Sequence, residues 1–165
     1  MNVSELPLRL GRVAGALQER AATAAANAMA QTFHRTLVTV TLRTYTHPAG
    51  TVTTSPAGGP PALVSGTLRR SARIIPAAAV GPKATAEVRV GAVYARIQER
   101  GGTIKAKRAP FLKFQYPAGQ WHSVKSVTLP KRPYMAPTLT LVVSSGLLRA
   151  AAKDAVRAVA TGAEG

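Results

Sequence analysis

The chain contains no cysteine, which excludes disulfides, thiolate metal sites and cysteine nucleophiles together. Acids are scarce. Six Asp and Glu stand against twenty-two Lys and Arg, a formal charge of +16. Between Arg20 and Lys153 the only carboxylates are Glu87 and Glu99, so there is no carboxylate pair for general acid–base work. The histidines His34, His47 and His122 have no second ligand at metal-binding spacing. Aromatics make up 5% of the chain, thin for a surface on which bases stack. Long apolar runs are also missing. Ala21–Phe33, an uncharged stretch of the N-terminal segment, is too short and too rich in Ala and Thr to cross a bilayer. Met1–Leu10 lacks the continuous apolar core of a secretory signal. Ser65-Gly66 is not a G-x-S-x-G elbow, and neither Gly58-Gly59 nor Gly101-Gly102 precedes Lys-Ser/Thr as a phosphate loop requires. These absences argue against an enzyme, a cofactor, a bound metal, a small-molecule substrate and a membrane location.

What is present is positive charge. It is densest from Arg96 to Arg132, where nine basic residues face only Glu99. Such a field draws in polyanions, whether nucleic acid or acidic protein surfaces. Lys105, Lys107, Arg108 and Lys113 lie among Phe111, Phe114, Tyr116 and Trp121, the mixture found in single-strand binding grooves. Phe111 and Phe114 flank Leu112 in an alternating run, however, and aromatics so placed read as core. No helix-turn-helix, zinc-finger or RNA-recognition signature is visible. The basic, amphipathic N-terminal segment would suit a membrane interface, but its apolar face is dominated by alanine, which fits packing against a neighbour better.

The length of 165 residues fits one domain. Residues 1–44 read as an N-terminal helix, with Ser4 as cap and Leu6, Leu10, Val13 and Leu17 as an apolar stripe at helical spacing. The β-branched run from Leu37 to Leu42 marks a second place where the helix could stop, near Arg35. Residues 45–62, rich in Pro, Gly, Thr and Ser, read as an exposed loop. The core follows over 63–135. It holds a short helix capped by Ser65 and anchored by Leu68, and strands at Ala72–Val80 and Ala84–Gly91 joined by a Gly81-Pro82 turn. A second short helix stops at Gly101-Gly102, and a β-region with a turn at Pro117-Ala118-Gly119 runs over Ile104–Pro130. Residues 136–161 read as one C-terminal helix whose stripe runs from Leu139 through Val142, Val143, Leu147, Leu148, Ala151 and Ala155 to Val159. In it Gly146 is expected to serve close packing. The fold class is therefore α+β: one antiparallel sheet of about four strands, packed by the two long terminal helices and two short ones.

Four short motifs recur in a fixed order: a Gly/Pro-rich loop running into S-G-T-L-R-R-S at Ser65–Ser71, Y-A-R-I-Q-E-R-G at Tyr94–Gly101, the basic-then-apolar stretch Lys105–Phe114, and R-P-Y-M-A-P-T-L at Arg132–Leu139. In order and spacing they resemble the neck and tail-completion proteins of long-tailed bacteriophages, also described as virion morphogenesis proteins. The match covers roughly residues 55–140, and Arg100 stands where the family usually has an aromatic. The resemblance implies a virion subunit without catalytic activity; the alternatives are another tail or baseplate structural protein of the same fold and a basic, sequence-independent nucleic-acid-binding module. The neck subunit would form a ring with copies of itself, expected to be a hexamer, between the portal-side connector (or head-completion protein) and the tail terminator or tail tube. Genomic DNA would pass through the lumen. The residues then expected to contact neighbours or DNA are Arg69, Arg70, Arg73, Arg96, Glu99, Arg100, Lys105, Lys107, Arg108 and Arg132. Glu99, an acid alone among bases, is expected to pair with an arginine. The loop His47–Pro61 is expected to order only beside a neighbour.

Overall fold

A computed structural model of the chain describes residues 6–46, 55–115 and 120–162. The Ser4 cap, His47, Tyr116 and the 117–119 turn expected from the sequence lie outside the described residues, as do the side chains of Leu6 and Leu10. The fold is α+β. Five helices are described: α1 (Leu6–Thr39), α2 (Thr67–Arg70), α3 (Ala95–Arg100), α4 (Met135–Ser144) and α5 (Leu147–Thr161). Six strands accompany them: β1 (Ala72–Val80), β2 (Lys83–Val90), β3 (Gly102–Lys105), β4 (Leu112–Gln115), β5 (Trp121–Val124) and β6 (Ser126–Leu129).

The strands do not join into one sheet. They form three two-stranded ladders, β1 with β2, β3 with β6, and β4 with β5. Alternation places strands but says nothing of their partners. The β4–β5 ribbon sits between β3 and β6 in the chain, so β3 finds its partner only after that ribbon has turned back. Gly102 lies opposite Leu129 and Lys105 opposite Ser126, and the facing hydroxyls of Thr103 and Thr128 lie 3.0 Å apart. In β4–β5, Leu112 faces Val124 and Phe114 faces His122. His122 is thus a strand residue rather than a turn residue, and its ring stacks on Phe114 at 6.0 Å.

The chain divides into two compact units. One comprises Met1–Arg35, Arg73–Arg89 and Leu139–Gly165; the other comprises Thr36–Ala72 and Val90–Thr138. The first is built on small side chains. Ala26, Ala30, Val142 and Val159 are buried in it, and Asn27 of α1 accepts the Ala77 N–H at 2.7 Å, which fixes β1 to the helix. Strand β2 alternates as expected, with Ala84, Ala86 and Val88 half-buried and Thr85, Glu87 and Arg89 exposed. The second unit buries Leu37, Leu42, Leu68, Ala95 and Tyr134, but also Thr36, Thr41, Ser55 and Thr138. Thr138 shows how polar atoms enter a core without penalty. Its hydroxyl is 2.7 Å from that of Thr41 and donates to the Tyr134 carbonyl at 2.6 Å.

Several boundaries differ from the sequence expectation. The α-helical part of α1 ends at Thr39, and the chain tightens into a 3-10 turn over Thr41–Arg43. β-branched Val38, Thr39 and Val40 crowd a helix. The cap of α2 is Gly66 in the left-handed conformation (φ 71°), not Ser65. The residues expected as one helix over 136–161 form α4 and α5, which meet at a 66° bend. Gly146 causes the break. It adopts φ +73°, and an added Cβ there would meet nothing within 4 Å, so its role is conformational and not close packing. The apolar stripe is also divided in its burial: Val142 and Val159 are buried and Leu148, Ala151 and Ala155 half-buried, whereas Leu139, Val143 and Leu147 are exposed. Part of the expected exposed loop is held internally. Ser55 and Pro61 are buried, Gly58 donates to Lys131 O at 3.0 Å and Leu63 to Tyr45 O at 2.7 Å. Among the described residues no single helix is long and apolar enough to cross a membrane.

Candidate functional site

The motifs meet in the second unit. Helix α3 ends at Gly101 with φ 69° and ψ −176°, an extended mirror-image conformation open in practice only to glycine. Space enforces the same choice, because a Cβ at Gly101 would lie 2.7 Å from Lys131 N and 3.0 Å from Leu129 O. This contact sets α3 beside the segment that starts α4. Arg132 N donates to Gln98 O at 2.6 Å, and the Tyr134 hydroxyl donates to Ala95 O at 3.3 Å. The Gly/Pro loop joins from the other side: the Arg132 Nε donates to Ser55 O at 3.2 Å. The S-G-T-L-R-R-S segment meets the residues before α3, where Ser71 Oγ accepts the Ala92 N–H at 3.1 Å and Ser71 O accepts that of Gly91.

At the centre is Glu99. Its carboxylate accepts backbone N–H groups of Tyr134 at 2.8 Å, Met135 at 3.1 Å and Ala136 at 3.5 Å. These are the donors a helix start leaves without partners, and negative charge there is favourable. Glu99 therefore caps α4 across 35 positions of chain. Among the described residues no arginine forms an ion pair with Glu99; pairs such as Glu87–Arg89 and Asp154–Arg157 lie elsewhere. Beside Glu99, Tyr134 is 2% exposed. Burial pushes its hydroxyl up to about 12, with the Glu99 carboxylate and Tyr94 adding to the effect. The Glu99 carboxylate and the Tyr134 hydroxyl together tie α3 to the start of α4.

An open cleft of about 560 Å³ lies against this junction. Buried Ala95 and Tyr134 and half-buried Val90 and Met135 line it with apolar surface, and exposed Arg96 and Arg100 stand one helical turn apart along it. No protein-family model, no curated protein and no solved structure matches this chain.

The structure gathers only part of the expected contact set. Arg96, Glu99 and Arg100 share the cleft. Arg132 is half-buried and serves the junction. Arg69 and Arg70 lie in the last turn of α2. Lys105 ends β3, and Lys107 and Arg108 follow in the bend after it, all three exposed. Arg73, exposed on β1, belongs to the other unit. Sequence reasoning missed Tyr134, Thr138 and Ser71 as junction residues. Each sits within or beside a motif, but their partners are 21 to 97 positions away. On the β4–β5 ribbon, Lys113 and Trp121 share a face, and Trp121 is 70% exposed. Phe111, expected in the core, precedes β4 and is also exposed. Among the described residues no cluster of His, Cys, Asp or Glu could hold a metal ion.

Proposed function

We propose that this chain is a structural subunit of the neck of a long-tailed bacteriophage, a tail-completion or head–tail joining component. Copies form a ring, and DNA passes through its lumen. The observation that carries this reading is an outward apolar surface in an otherwise strongly basic chain. From Met135 to Leu148 there is no charged residue, and within that stretch Leu139 (51%), Leu141, Val143 (60%) and Leu147 are exposed. Exposed apolar residues grouped in this way mark contact surfaces. A second exposed stretch lies in α1, where every residue from Val13 to Arg20 is exposed, Val13 and Leu17 included. Three of the four motifs, Ser65–Ser71, Tyr94–Gly101 and Arg132–Leu139, support the family reading in a different way: they act together as the mortar of one junction, as expected of motifs that specify a subunit's architecture.

Sedimentation and electron microscopy of the purified protein over a wide concentration range test the proposal, together with mixing against tail tubes. Rings, or rings formed only on tube ends, are expected. A monomer at every concentration that never joins a particle would refute it. A second reading, a sequence-independent nucleic-acid binder, draws on exposed Trp121 beside Lys113. It requires that the free monomer bind DNA with a steep loss of affinity as salt rises.

A further inference from the structure

We infer that the Arg96–Arg100 cleft receives an acidic segment of a different protein, one that presents carboxylates to the two arginines and an apolar side chain to the floor. The inference deepens the reading of the chain as an assembly subunit and rests on it. The geometry carries three points. First, Arg96 and Arg100 line one cleft, and among the described residues neither has a carboxylate partner. Glu99 lies between them in sequence but is consumed by the start of α4. Two guanidinium groups at a spacing of four on a helix form a ready fork for carboxylates.

Second, charge argues against another copy as the source of the acid. The chain has six acids. Of those whose surroundings are described, Glu87 lies beside Arg89 and Asp154 beside Arg157, half-buried Glu99 caps α4, and Glu19 is exposed on α1. A second molecule carrying +16 also repels the first over the range of their fields. Copies can meet through the uncharged Met135–Leu148 surface, while the cleft needs a partner of opposite sign. Third, part of the lining is apolar, beside the Tyr134 ring and the Glu99 carboxylate that faces the start of α4. Val90, Ala95 and Met135 offer nothing to a sugar–phosphate backbone but would bury a leucine or phenylalanine. This favours a peptide over nucleic acid.

The test uses the full chain and a fluorescein-labelled peptide of glutamates around a central Leu-Phe pair, read by anisotropy. Comparison probes are the same peptide with serines at the centre and a duplex DNA oligonucleotide. Arg96→Ser/Arg100→Ser is compared with Arg149→Ser/Lys153→Ser, a pair exposed on α5 that removes equal charge. The expected result is a loss of about tenfold or more for the cleft variant, from two charge-assisted contacts, and little change for the control. Equal losses in both variants, or no binding at all, would overturn the inference, as would equal binding of the serine peptide. Duplex DNA that displaces the peptide and itself depends on Arg96 and Arg100 would give the cleft to nucleic acid. Thermal unfolding of each variant confirms that it is folded. If rings form and the peptide fails, only the cleft assignment falls. If the peptide binds and no assembly occurs, the subunit reading falls instead.

Discussion

Helices α4 and α5 follow one another directly in the chain, yet their first turns are held by different means. The start of α4 receives a carboxylate from a distant helix, and the three amides it offers are met by Glu99. The start of α5 receives no side-chain cap; Gly146 simply turns the chain at positive φ. One start depends on tertiary structure being in place, and the other on a single local dihedral. The difference shows why a distant acid can specify a helix boundary that no local pattern announces.

Gly101→Ala is the strongest way to break the first arrangement. Positive φ and a backbone clash at 2.7 Å should together cost about 3 kcal/mol or more, read by urea unfolding. It should also release α3 from the α4 start. Glu99→Ala leaves the same helix amides without their charged acceptor, and a loss of about 2–3 kcal/mol is expected. Glu99→Gln, which keeps one acceptor oxygen, should lose less.

The third test uses pH. The Tyr134 hydroxyl titrates near 12 in the folded chain and near 10 when unfolded. Between these values the unfolded state holds fewer protons, so stability should be intact below pH 10 and fall as pH rises towards 12. The loss should be about 2–3 kcal/mol. In Tyr134→Phe this extra slope should disappear relative to the parent chain. The smallest effect belongs to the second helix start. Gly146→Ala meets no atoms, so only its left-handed φ matters, at about 1 kcal/mol. If Gly146→Ala proved as costly as Gly101→Ala, the contrast between the two starts would fail.

The parts legible in the sequence were those set by neighbours along the chain. The alternation of Glu87 to Val90 located β2 and its wet face, and the Leu148–Val159 stripe located the buried side of α5. The Gly101 stop of α3 was also visible, although its ψ is not that of a left-handed helix cap. What stayed hidden was partnership across distance. Nothing local to Glu99 points to amides 35 positions on. Its basic surroundings suggest an ion pair instead. Likewise Gly146 drew attention as a residue for close packing, but only its dihedral shows that it ends one helix and begins another. In the candidate site, Arg96 and Arg100 stood out by charge, whereas the apolar floor was invisible because Val90 and Met135 come from separate elements.

The exposure of Trp121 has a practical consequence. It is the sole tryptophan of the chain, so the protein carries one intrinsic fluorophore with no background from others. In the isolated chain its indole faces water and should emit at long wavelength. Should a neighbour cover the β4–β5 ribbon, the emission would move to the blue and resist collisional quenchers. Unlabelled protein would then report contact at that ribbon in real time.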